Sequence, residues 1–116
     1  MDKIKIWHNS RCRKSREGLK YLQDKGIEPE IFEYLKSDFD ARELIEIINK
    51  TGQPLKDFIR TQEADYKALG LKGKDLTVEE FGKLASQYPK LLQRPIVIKD
   101  AKAVLARPAN KIDEIL

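Results

Sequence analysis

"KIKIWHNSRCRKSREGLKYLQDKGIEPEIFEYL", residues 3–35, sets the first part of the architecture. Lysines alternating with large apolar residues in "KIKIWH" predict a short strand, because successive side chains of an extended chain point to opposite faces. From Ser15 to Lys25, "SREGLKYLQDK" puts Leu19 and Leu22 on one stripe of a helix, and Gly26 follows as a C-terminal stop. "EIFEYL", residues 30–35, entered through Pro29, predicts a second strand. Two strands separated by a single helix in so short an interval predict a strand–helix–strand unit with a right-handed crossover.

Beyond this unit the periodicity changes. Asp40 opens "ARELIEIINKTG", where Leu44, Ile45, Ile47 and Ile48 make a broad apolar face and Gly52 closes it. "PLKDFIR" starts with a proline suited to a first helical position. A turn-rich stretch marked by Tyr66, Leu69 and Leu71 leads to "TVEEFGKLASQYP", a helix with Thr77 and Glu80 at capping-box spacing and Pro89 past its end. "RPIVIKDAKAVLARP" reads as an apolar strand, a turn at Asp100 and another strand, and "ANKIDEIL" carries Ile112, Ile115 and Leu116 at helical spacing. The expectation is an α/β chain forming one domain over residues 1–116: β-α-β, a helical insertion at about 40–90, then β-β-α.

The 116 residues are enough for one core, and 41% hydrophobic with 36% charged content fits a globular chain. The net charge of +4 is spread without a dense basic stripe interleaved with aromatics, which favours small anions over nucleic acid as partners. No stretch approaches the roughly 20 apolar residues of a membrane helix, and "MDKIKIWHNS" lacks the apolar core of a signal peptide. A single cysteine rules out an internal disulfide, and the expected location is cytoplasmic, where a lone thiol stays reduced. One histidine and one cysteine offer no recognisable metal-ligand set.

The chemistry concentrates in "WHNSRCRKS", residues 7–15, which holds the only tryptophan, histidine and cysteine. Thiols become nucleophiles when cations or a helix N-terminus lower their pKa. Cys12 stands between the first strand and the first helix, with Arg11, Arg13, Lys14 and Arg16 around it. Unpaired amides at that helix end would face the sulfur and cradle an oxyanion. Ser15 could donate its hydroxyl to the thiolate or cap the helix. The competing reading is an inert buried cysteine, which the cationic flanks disfavour. His8 reads as a satisfied strand-end residue or as an electrostatic modulator of the thiolate, and Asn9 as a loop former.

Arginine is the scarcer cation, with seven copies. Arg60 in "FIRTQ", Arg94 in "LQRPIV" and Arg107 in "VLARPAN" interrupt apolar or proline-bearing runs, where a guanidinium must reach water or find an anion. A planar guanidinium suits bidentate capture of a tetrahedral oxyanion. The isomer of the Arg94–Pro95 bond is open at this level.

Taken together, "HNSRCRKS", "IR" at 59–60, "QRPIVI" at 93–98 and "LARP" at 105–108 resemble the glutaredoxin-coupled arsenate reductases and the wider ArsC/Spx-like group, across essentially the whole chain. Ser10 stands where the family often has proline, and the loop is unusually basic. The resemblance implies a thioredoxin-like mixed sheet with a helical insertion and a cis-proline at Pro95. It implies Cys12 as the nucleophile on arsenate and Arg60, Arg94 and Arg107 as ligands of the oxyanion. His8 would lie close enough to influence the thiolate, with Ser15 in the same loop. It implies no bound cofactor, with glutathione as co-substrate and glutaredoxin as electron donor.

The cysteine count constrains such chemistry on its own. Reducing arsenate to arsenite takes two electrons, and one cysteine leaves the second thiol equivalent to an external donor. Two other readings remain: an Spx-like regulator that binds the RNA polymerase α subunit, although Ser15 occupies the second position of the Cys-x-x-Cys switch, and a thiol reductase with another substrate, which would not need three converging arginines.

Overall fold

A computed structural model describes residues 3–116, so Met1 and Asp2 of the expected domain lie outside the described residues. Four strands form one mixed sheet: β1 (Ile4–Trp7), β2 (Glu30–Phe32), β3 (Ile96–Lys99) and β4 (Lys102–Leu105), in the order β2-β1-β3-β4. β1 runs parallel to β2, with Trp7 opposite Phe32, and antiparallel to β3, with Trp7 opposite Ile96. β3 and β4 form an antiparallel hairpin whose Lys99–Lys102 pair closes over Asp100 and Ala101. Asp100 takes the left-handed conformation this two-residue turn needs, at φ 53°. The architecture is α/β and thioredoxin-like, as expected.

The period-2 alternation of the strands builds two cores. Trp7, Ile96, Ala103 and Leu105 face one side, where α2 (Ala41–Thr51) and α4 (Val78–Gln87) supply Leu44, Ile47, Ile48, Phe81 and Ala85. Ile6, Val97 and Val104 face the other, packing with Leu22 of α1 (Arg13–Asp24) and with Ile112 and Ile115. Both helical caps of the insertion follow the sequence reading. The Asp40 side chain accepts from Arg42 N–H, Gly52 ends α2 with φ 66°, and Thr77 and Glu80 complete a capping box on α4.

Several elements differ from the sequence reading. α1 starts at Arg13, two residues before Ser15, because Cys12 itself is the N-cap and its carbonyl accepts the first helical bond from Arg16 N–H at 3.0 Å. β2 stops at Phe32 instead of reaching Leu35, because a turn closed by Lys36 N–H to Glu33 O at 2.9 Å swings Tyr34 into the core. Residues 55–58 and 109–114 form 3-10 turns, whose three-residue period brings Ile112 and Ile115 inward and leaves Leu116 exposed. The turn-rich stretch contains a short helix, α3 (Ala64–Ala68), which carries no buried residue and so left no apolar stripe to read. Among the described residues, no helix is long and apolar enough to cross a membrane.

Candidate active site

The chain leaves β1 at Trp7 and reaches α1 through a loop that its own polar groups clasp. Cys12 N–H donates to Asn9 O at 2.9 Å, Arg11 N–H to Asn9 Oδ1 at 3.0 Å, and Asn9 N–H to Ser15 Oγ at 3.0 Å. The Arg16 guanidinium adds a bond to Ser10 O at 3.0 Å. This clasp holds Cys12, half-buried, at the N-terminal end of α1.

The insertion reaches the same place by a different route. Ile59 forms an isolated antiparallel bridge with Leu92, reinforced by Arg60 N–H to Leu91 O and Gln93 N–H to Phe58 O, both at 2.8 Å. That bridge sets Arg60 beside the approach to β3, where Arg94 begins the strand entry. Arg107, just past β4, turns back so that its Nη1 donates to Arg94 O at 3.0 Å. Cys12, Arg60, Arg94 and Arg107 thus line one pocket of about 300 Å3, together with Arg13, Lys14 and Gln93.

Electrostatics there favour an anion. Burial by itself pushes the Cys12 thiol up. The Ser15 N–H, the Arg94 guanidinium and the Lys14 N–H outweigh it, and the thiol ends below its ordinary value. Arg94 is 8% exposed, and its buried Nε and Nη1 have no hydrogen-bond partner among the described residues. Unpaired buried donors are costly, so this guanidinium is a strong claimant for oxyanion oxygens. Arg60 differs, since its Nη1 pairs with Glu63 Oε1.

The sequence profile of the ArsC family matches residues 7–115, a span that contains the cysteine and all three arginines. The chain belongs to the ArsC family. A Neisseria meningitidis serogroup A protein named arsenate reductase is 38% identical over 117 residues, covering 100% of both chains. A protein of that name from Haemophilus influenzae is 41% identical over 112 residues, covering 96% of this chain and 97% of its own. The solved arsenate reductase of Vibrio cholerae superposes with a TM-score of 0.90 at 33% identity, over 99% of this chain and 98% of that one.

Other residues singled out in the sequence occupy different stations in this ArsC fold. His8 is buried and lines a separate pocket, with Glu33 and Lys36. Burial lowers its pKa against the raising pull of Glu33, which favours the neutral ring. The Ser15 hydroxyl accepts from Asn9 N–H, so it braces the loop, while its backbone N–H serves the sulfur. Cys12 makes no side-chain cap bond and Ser15 lies inside α1, so the capping role considered for Ser15 is not what the structure shows. Pro95 is cis, as is Pro108, and its ring packs against Gly18 of α1. Among the described residues, no group of three His, Cys, Asp or Glu side chains is placed to hold a metal ion.

Tyr34 and Glu63 escaped the sequence reading. Tyr34 is 1% exposed, its hydroxyl donates to Leu92 O at 3.4 Å, and burial pushes its phenol up to about 12 against the lowering pull of Arg94 and Arg60. Its polar tip on an otherwise apolar face was the available signal, because buried tyrosines seek hydrogen-bond partners. Glu63 stands three residues after Arg60, a spacing that only the local turn makes meaningful.

Proposed function

We propose that this chain is an arsenate reductase in which Cys12 is the nucleophile and Arg60, Arg94 and Arg107 hold the oxyanion. The observation that carries this reading is a thiol with a lowered pKa sharing one pocket with the guanidiniums of Arg60, Arg94 and Arg107, that of Arg94 buried with unpaired donors. The names of the full-length relatives agree with it.

In the first step the Cys12 thiolate attacks arsenic, forming an S–As bond, and a protonated oxygen departs as hydroxide or water. The three guanidiniums offset the charge on the remaining oxygens, where two anions would otherwise repel. An external thiolate then attacks the Cys12 sulfur. The S–As bond breaks with its electron pair going to arsenic, leaving arsenite and a mixed disulfide on Cys12. Glutathione is the natural donor, and a glutaredoxin dithiol restores the Cys12 thiol by exchange. The absence of a second cysteine is the reason for placing the resolving thiol outside the chain.

Purified protein should support arsenate-dependent NADPH oxidation when supplied with glutathione, glutaredoxin and glutathione reductase, and Cys12→Ser should abolish it. Equal background rates for both proteins would reject the assignment.

A further inference from the structure

A second cavity of about 360 Å3 adjoins the cysteine pocket. Thr61 and Gln62 line both, so the two are contiguous along the segment that follows Arg60. Tyr66, Lys67, Gly70 and Lys72 complete it.

This cavity is built by the end of α3. Gly70, at φ 64°, takes the left-handed conformation after the helix, Gly70 N–H donates to Lys67 O at 3.1 Å and Leu71 N–H to Tyr66 O at 3.2 Å. That pair of bonds is a Schellman closure. It reverses the chain, and Leu71, 4% exposed, anchors the reversal in the core. Lys72 therefore returns to the same cavity as Lys67. No acidic side chain lines the cavity, and among the described residues neither lysine has an ion pair. Half-buried Tyr66 supplies an apolar wall to the cavity that the two lysines line.

We infer that this cavity receives the resolving thiol, an anionic low-molecular-weight thiol with carboxylates at both ends. Its carboxylates meet Lys67 and Lys72, its methylenes lie on Tyr66, and its sulfur reaches Cys12 past Thr61 and Gln62. A tripeptide spans about 10 Å when extended, which suits a ligand lying across two adjacent cavities. The assignment rests on the reading of Cys12 as a thiol that exchanges with an external donor.

The test uses disulfide exchange without arsenate. The Cys12 thiolate attacks one sulfur of glutathione disulfide, giving a Cys12–glutathione mixed disulfide and releasing one glutathione thiolate. The neutral bis(2-hydroxyethyl) disulfide undergoes the same exchange without carboxylates. In a Lys67→Gln, Lys72→Gln double variant, the rate with glutathione disulfide should fall about fivefold to tenfold, as expected for losing two exposed ion pairs. The rate with the neutral disulfide should stay within about twofold, and Lys67→Arg, Lys72→Arg should restore selectivity. Equal changes with both disulfides, or no change with either, overturn the assignment. Lost arsenate reduction with intact disulfide selectivity would reject the proposed reaction and leave the thiol site standing.

Discussion

Among the described residues, Arg60 carries an ion pair to Glu63 that Arg94 and Arg107 lack, and this sets the order of their contributions. In the proposed reaction an incoming oxyanion must share or displace the Glu63 carboxylate, whereas Nε and Nη1 of Arg94 have no competing partner among the described residues. Arg94→Ala should therefore raise the arsenate KM by about 10- to 100-fold, the range for losing a charge-assisted hydrogen bond in a partly buried site. Glu63→Gln should lower that KM by removing the competing anion, and steady-state kinetics on the two variants would show opposite signs. His8 makes a separate prediction about stability. Burial depresses its pKa in the folded chain, so folding favours the neutral ring. The stabilising contribution is complete above the unfolded value of about 6.5 and is lost as pH falls through the lower folded value. Urea midpoints should decline on acidification below pH 6.5 more steeply in the native chain than in His8→Gln.

Two glycines govern how the helices sit. A Cβ on Gly18 would lie 2.8 Å from Pro95 Cγ, so Gly18→Ala forces α1 away from the segment that carries Arg94. Helix propensity would gain about 1 kcal/mol from the alanine. A clash with a rigid ring costs more, about 1–3 kcal/mol. The net effect should be a lower melting temperature together with a higher apparent pKa of Cys12. Gly82 lets α4 approach α2, where a Cβ would lie 2.6 Å from Ile45 Cγ1 and 3.2 Å from Ala41 O. Gly82→Ala should destabilise by a similar amount while leaving the Cys12 pKa unchanged, and Ile45→Ala in the same chain should recover part of the loss. Neither close approach was legible in the sequence, because a glycine within a helical pattern looks the same whether or not a neighbour touches it. The caps were legible, because Asp40, Gly52, Thr77 and Glu80 act through bonds to residues close in the chain.

At the scale of the whole molecule, the sheet order places the ends of β1, β3 and β4 so that three distant segments meet. Element types along the strands and the longer helices followed from periodicity alone, since both cores obey the 2.0 and 3.6 periods. The short pieces did not follow. The Ile59–Leu92 bridge, the 3-10 turns and α3 are set by tertiary packing, and they are what bring Arg60 and the second cavity to the cysteine. Composition could suggest that the arginines seek an anion, while only the fold shows that Arg60, Arg94 and Arg107 line the pocket of Cys12.

Backbone amides and Arg94 stabilise the Cys12 thiolate against the cost of burial and hold the thiol below its ordinary pKa. The rate of Cys12 alkylation by iodoacetamide, followed from pH 5 to pH 10, measures this directly. The midpoint should lie below the ordinary thiol value of about 8.5 and move upward in Arg94→Ala. A native midpoint at or above that value, unchanged by removal of Arg94, would contradict it.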